Sequence, residues 1–458
     1  MRFFEILTPL ATILRLIIPR RWNAPLPLLT VLFQLGFEGY RWQMVPLYAF
    51  TLIELGFALW GFQQPARPWS FGARGWKMLG GILILIVCVA PPVLFPIPHI
   101  RPPTGPYPVG TLTLDLTDLS RTDPYASDSS ALRELMLQVW YPAETPGKTP
   151  VPWMEHVEIV APAISAWIEM PSFFLDHLKY AKTDAFANVT VASAEAQFPV
   201  LIFSHGFGGF RAQNTFQMQE LASHGYIVVA PEHTYASVIT VFPDGRVAQH
   251  NPNTLPENVS EAEYDLAAKR LLDQWTADLR FVMDQLVEIN ASNSTLQGKL
   301  DLNRMGVLGH STGGGATVQV CAVDLRCKAG LGMDAWLVPV ADDVIAHGPR
   351  QPFLFLYSEL WPKPKNMALF EQLFETMGNP VARFTILGTA HYDFTDLPAL
   401  SPLASYIGLK GPLNGARVQE IIDAYSLAFF DAEFKGIASP LLEGASEAFP
   451  EVIFVESK

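Results

Sequence analysis

The chain has 458 residues, enough for two or three domains, and half of them are hydrophobic while only 16% are charged. The formal charge of −13 is uneven: residues 1–100 carry eight Lys/Arg against three Asp/Glu, a balance of +5, which leaves −18 for the rest. An acidic body with no long Lys/Arg run excludes nucleic acid, which needs a positive footprint.

In chain order, the apolar head comes first. Met78 to Ile97 is uncharged and about 20 residues long, enough to cross a hydrocarbon core as a helix. Met44 to Phe62 is similar but contains Glu54, and Phe3 to Pro19 and Pro25 to Phe37 are weaker stretches interrupted by Glu5, Arg15 and prolines. Trp22, Trp42, Trp60, Trp69 and Trp76 lie at or near their edges, where interfacial aromatics belong. A cleavable signal peptide would be shorter and would not be followed by more apolar segments. Residues 1–98 are therefore predicted to be a membrane region of three or four transmembrane helices. With four spans, Arg20, Arg21, Arg67, Arg74 and Lys77 share one side, and Arg2, Arg41 and Arg101 the other. The positive-inside rule then puts the body of this multi-pass protein on the extracytoplasmic side.

Residues 99–110 hold Pro102, Pro103, Gly105, Pro106 and Pro108 and read as a linker. A globular body over 111–440 and a tail over 441–458 follow. Thr111–Leu116 and Leu135–Tyr141 are predicted as an edge hairpin joined by a polar loop. Trp153 to Leu175 reads as a helix packed on the sheet, or as a segment that rims the acyl pocket or touches lipid. From Pro199 onward short apolar runs (Val200–Phe203, Ile227–Ala230, Met305–Leu308, Ala329–Met333, Phe353–Tyr357) are mostly separated by helical stretches such as Ala262–Glu288. That alternation predicts a mostly parallel sheet covered by helices on both faces. Cys321 and Cys327, six apart, are either buried thiols or a small disulfide, which would need an oxidising compartment. No Cys or His spacing reads as a zinc site, and no cofactor is expected.

The strand Met305–Leu308 runs into Gly309-His310-Ser311-Thr312-Gly313, with a helical stretch Ala316–Ala322 after it. This is the Gly-x-Ser-x-Gly turn in its required strand-to-helix setting, with Ser311 as nucleophile. A serine hydroxyl needs a base to take its proton. Only His347 and His391 lie beyond Ser311; His391, in the small-residue loop Gly388-Thr389-Ala390-His391, is the candidate base, and His347 reads as structural. Asp334, at the end of the next strand, is the candidate acid that orients the imidazole, ahead of Asp324, Asp342, Asp343 and Asp393. The backbone N–H groups of Phe207, in the glycine-rich loop Phe203–Gly209, and of Thr312 are the candidate oxyanion donors. His205 and His310 are expected to brace these loops, and Glu232-His233 to be structural or at the pocket edge.

These segments together resemble the platelet-activating-factor acetylhydrolase family, plasma and intracellular type II branch, of the α/β-hydrolase fold. The resemblance runs through Pro103–Tyr107, Leu137–Ala143, Phe203–Gly206, Leu221–Tyr226, Glu232-His233, Gly309–Ser311, Leu331–Trp336 and Ala390-His391. It implies a Ser311, Asp334, His391 triad, oxyanion donors at Phe207 and Thr312, and calcium-independent removal of short or oxidised acyl chains from the second glycerol carbon of phospholipids. The expected partners are an ester substrate and the membrane. The alternatives are a general carboxylesterase or lipase acting on non-phospholipid esters, a peptidase on the same fold, and a non-catalytic adhesion or scaffold protein.

Overall fold

The computed structural model describes residues 1–18, 21–63, 71–361, 363–378 and 380–457. Arg20, Arg67 and Trp69, used in the membrane reading, lie outside the described residues.

The strands are β1 (Val109–Thr122), β2 (Leu132–Pro142), β3 (Pro150–Pro152), β4 (Lys182–Ala187), β5 (Phe198–Ser204), β6 (Ile227–Glu232), a small hairpin β7 (Ile239–Val241) and β8 (Val247–Gln249), β9 (Leu300–His310), β10 (Cys327–Met333), β11 (Phe353–Ser358), β12 (Val381–Ile386) and β13 (Val452–Ser457). Eleven of them form one sheet in the order β13-β12-β11-β10-β9-β5-β6-β2-β1-β4-β3. The run from β12 to β6 is parallel throughout. Two sequence expectations change here. The β1–β2 pair is antiparallel as a hairpin should be, but β4 and β3 continue the sheet beyond it, so it is not the edge. Residues 441–458 are not a tail, because β13 pairs antiparallel with β12 and closes the opposite edge.

Among the described residues the head contains the helices α1 (Phe3–Ile17), α2 (Leu26–Phe33), α3 (Val45–Gln63) and α4 (Phe71–Leu94). The others are α5 (Val157–Trp167), α6 (Thr215–Ser223), α7 (Glu261–Ser292), α8 (Thr312–Val323), α9 (Asp342–His347), α10 (Pro364–Thr376) and α11 (Gly415–Lys435). Alternation along each strand sorts side chains between two cores. Val200, Ile202, Val307, Phe353 and Phe355 join α7, α8 and α10 on one face. Their neighbours Leu201, Phe203, Leu308, Leu354 and Leu356 join α6 and α11 on the other. The 32-residue α7 opens with a capping box in which Ser260 and Glu263 satisfy each other's backbone.

Two head segments, Trp42–Trp60 and Gly75–Leu94, are long and apolar enough to cross a bilayer by length and composition. Leu52, Ile53, Phe57, Leu83, Ile84, Ile86 and Val87 face outward from them. Charge is drawn inward instead, where Arg41 and Glu5 form a fully buried pair at 2.9 Å. The head sits on the body through Trp42, whose Nε1 donates to Phe174 O at 2.9 Å, and through Ser401 Oγ, which donates to Leu94 O at 2.5 Å. The linker is strapped down as well: Thr104 N donates to the Glu220 carboxylate at 2.7 Å, and a Cβ on Gly105 would lie 2.3 Å from Ser223 O. Cys321 and Cys327 are joined in a disulfide with Cα atoms 5.0 Å apart, which ties the end of α8 to the start of β10.

Candidate active site

Ser311 occupies the single residue between β9 and α8, at φ 57° and ψ −118°. Such a conformation is strained for a residue with a side chain, by roughly 1–3 kcal/mol, and persists only where the surroundings impose it. Here Ser311 N donates to Met333 O at 2.9 Å, and Ser311 O accepts from Trp336 N at 2.8 Å. The flanking glycines follow from close approach rather than flexibility. A Cβ on Gly309 would stand 2.3 Å from Gly313 O, and one on Gly313 only 2.0 Å from Ser204 O. The turn can therefore lie against β5 only because these positions lack side chains.

Asp334 follows the last residue of β10, with φ 43°, and its N–H donates to Leu356 O at 2.9 Å. This fully buried carboxylate accepts from Ser358 N at 2.7 Å on one oxygen. Its other oxygen accepts from Ser358 Oγ at 2.6 Å and from His391 Nδ1 at 3.0 Å. His391 Nε2 lies 2.9 Å from Ser311 Oγ. Hydroxyl, imidazole and carboxylate thus form one hydrogen-bonded row assembled from the C-terminal ends of β9 and β10 and the loop after β12. A row of this kind can take the serine proton as the oxygen attacks and hold the resulting imidazolium against a buried anion.

The loop that carries His391 is pinned at two points. The Asp393 carboxylate accepts from Ala390 N at 2.8 Å and Gly411 N at 2.6 Å, so this rival acid serves the backbone. Asp396 accepts from Thr215 N at 2.7 Å, at the start of α6, and from Trp153 Nε1 at 3.1 Å. Burial pushes the Asp396 carboxyl up to about 7, against the pull of those donors. Asp324 is tied to Arg326, Asp342 to Lys269, and His347 is bonded to the backbone of α9, all outside the row.

Phe207 lies in the loop after β5, its ring against Trp167 at 6.1 Å and His250 at 5.2 Å. Its neighbour Gly206 backs onto the Ser311 turn: a Cβ there would lie 3.4 Å from Ser311 Cβ. Thr312 is the buried first residue of α8, so its N–H belongs to the unpaired helix terminus. Among the described residues no group of three His, Cys, Asp or Glu side chains gathers closely enough to hold a metal ion.

A family model described as platelet-activating factor acetylhydrolase, isoform II, matches residues 95–437. The chain belongs to this family. A platelet-activating factor acetylhydrolase of Cavia porcellus is 27% identical over 71% of this chain and 76% of its own length. A probable 1-alkyl-2-acetylglycerophosphocholine esterase of Arthroderma benhamiae is 26% identical over 77% of this chain and 93% of its own. Among solved structures, a ferulic acid esterase from Streptomyces cinnamoneus superposes with a TM-score of 0.66 at 28% identity, covering 79% of this chain and all of that one. The mostly parallel sheet is thus consistent with an α/β-hydrolase fold, and this family member is a carboxylic ester hydrolase.

Two residues beside the row escaped the reading of the sequence. Ser358 ends β11, and only the pairing of β11 with β10 brings it to Asp334. Trp361 stacks on the His391 imidazole, 4.3 Å away and 16° from parallel. No local motif marks either one. His310 braces the same loop as expected of it: its Nε2 donates to His391 O at 2.9 Å.

Proposed function

We propose that this family member is a membrane-anchored serine ester hydrolase that removes short acyl chains from phospholipids of the 1-alkyl-2-acetylglycerophosphocholine type. One observation carries the mechanism: Ser311, His391 and Asp334 stand in hydrogen-bonded sequence at a strained strand-to-helix turn. Ser311 Oγ attacks the ester carbonyl while His391 Nε2 takes its proton. The N–H groups of Phe207 and Thr312 receive the negative oxygen. His391 then protonates the departing alcohol, and the acyl group stays on Ser311. Water, giving its proton to His391, attacks the acyl carbonyl; the acid leaves and the proton returns to Ser311. Asp334, braced by Ser358, keeps the imidazole in the required tautomer.

The substrate class rests on the family and on the names of the guinea-pig and fungal relatives. A general carboxylesterase acting on non-phospholipid esters is the second reading, favoured by the ferulic acid esterase whose whole chain superposes. The anchor is read from Trp42–Trp60 and Gly75–Leu94 together with the shorter α1 and α2. The Cys321–Cys327 bridge suits a body outside the cytoplasm.

The decisive test is labelling by a fluorophosphonate, with rates on p-nitrophenyl esters of rising chain length and on a short-acyl phospholipid. Ser311→Ala is expected to abolish both labelling and turnover, and unchanged labelling would overturn the assignment. Protease added to intact cells should cut the body; protection there would reverse the topology.

A further inference from the structure

The mechanism above leaves a group of buried polar side chains unused behind the β5 loop. Ser204 Oγ lies 2.9 Å from His233 Nε2, and His233 Nδ1 lies 3.0 Å from Asp278 Oδ2. Arg133 meets the same carboxylate at 2.5 Å and donates to Thr234 O at 2.8 Å. The Trp275 ring stacks on the His233 imidazole at 3.9 Å, 8° from parallel. This order of serine, imidazole and carboxylate repeats the order at Ser311, but Ser204, His233 and Asp278 are completely buried and open to no substrate. A buried network in which serine, imidazole and carboxylate are each bonded to the next fixes the positions of those members.

What it fixes is His233, whose backbone N–H donates to His205 Nε2 at 3.1 Å. That contact decides the His205 tautomer: Nε2 accepts, so the proton is on Nδ1. His205 Nδ1 in turn donates to Gly206 O at 2.7 Å, and Gly209 N donates to the same oxygen at 2.9 Å. On the other side of the residue, Gly206 N donates to Gln213 Oε1 at 3.1 Å. Gln213 Nε2 then reaches His310 Nδ1 at 3.3 Å, and His310 holds the backbone of His391. Burial, with His233 beside it, pushes His205 down to about 3, so the ring stays neutral, as its donor and acceptor contacts require.

Gly206 C=O and Phe207 N–H belong to one planar trans peptide and point in opposite directions. Whatever holds the carbonyl aims the N–H. We infer that His205 is the positioning residue of the oxyanion hole: by holding the Gly206 carbonyl from behind, it turns the Phe207 N–H toward the space over Ser311. The relay of Ser204, His233 and Asp278 serves His205, and Gln213, bonded to Gly206 N in the preceding peptide, couples this loop to the loop of the base. Mutations in this buried set thus act on the developing oxyanion and leave ground-state binding alone. The inference rests on the serine-hydrolase reading with Phe207 N–H as a donor.

The test compares His205→Leu, His205→Asn and His205→Gln in the full chain. Active sites are counted by fluorophosphonate titration, and kcat and KM are measured on p-nitrophenyl acetate. His205→Leu is expected to lower kcat by about 10²-fold, the usual effect of losing one oxyanion donor, with KM changed by less than about threefold. His205→Asn places an amide nitrogen where Nδ1 stood and should recover about tenfold of that loss. The glutamine amide reaches the Nε2 position instead and should behave as leucine does. If the leucine variant does not fold, the asparagine and glutamine pair carries the same decision. Equal kcat in those two, or a leucine variant within about threefold of wild type, would overturn the inference. Ester cleavage that survives Ser311→Ala would instead sink the serine mechanism, whatever the His205 variants do.

Discussion

Gly313→Ala is the sharpest perturbation of the Ser311 turn. The added methyl carbon would stand 2.0 Å from Ser204 O and 2.5 Å from His205 O, both buried backbone atoms at the end of β5 and in the loop after it. Side-chain carbons essentially never approach closer than 3.0 Å, so β5 and the start of α8 must part by about 1 Å. Those two segments carry Ser204 to Phe207 and Ser311 to Thr312, so the opening falls between Ser311 and the proposed donor Phe207 N–H. A misplacement of about 1 Å is worth about 10²-fold in rate, and overpacking of this kind costs about 1–3 kcal/mol of stability. We therefore expect kcat on p-nitrophenyl acetate to fall about 10²-fold and the thermal midpoint to drop by several degrees. The control is Gly415→Ala at the first residue of α11, where the methyl would meet Pro398 Cβ at an ordinary 3.4 Å. That variant should keep full activity and be neutral or slightly stabilised. Full activity and an unchanged midpoint in Gly313→Ala would refute the reasoning.

Asp334→Asn keeps the shape of the row but presents an amide to His391 Nδ1, and kcat should fall about 10⁴-fold with fluorophosphonate labelling slowed in parallel. Acid should destabilise the body through its buried imidazoles. Above about pH 6.5 His205 is neutral in both states; below that the unfolded chain takes a proton the folded site refuses until about pH 3, so stability falls as pH falls through this window. Each such group adds about 1.4 kcal/mol per pH unit, and His205→Asn should flatten the slope of the denaturation free energy against pH by that much. An identical slope in the variant would contradict the neutral, buried histidine. Replacing Cys321 and Cys327 together by alanine removes a short crosslink and should lower the denaturation free energy by about 2 kcal/mol, read from the urea midpoint.

Much of the site was legible along the chain, because the chemistry leaves local marks. An apolar strand running into Gly309–Gly313 marks a turn too tight for side chains, and the structure shows the backbone contacts that forbid them. The order of Ser311, Asp334 and His391, each after a strand, was readable because parallel strands bring their C-terminal ends to one edge. The apolar runs Val200–Phe203 and Phe353–Tyr357 were likewise readable as buried strands, and the structure divides Val200 from Leu201 and Phe353 from Leu354 between two cores.

What the chain did not disclose depends on neighbours distant in sequence. Ser358 reaches Asp334 only because β11 pairs with β10, and Trp361 covers His391 only because two loops meet. The hairpin β1–β2 looks like an edge until β4 and β3 pair beyond it, and β13 looks like a tail until β12 supplies its partner. Even the disulfide was undecided, since spacing in sequence sets no Cα separation. Local propensity writes turns and periods into a sequence, whereas strand order and loop packing are collective properties that exist only once the distant segments have met.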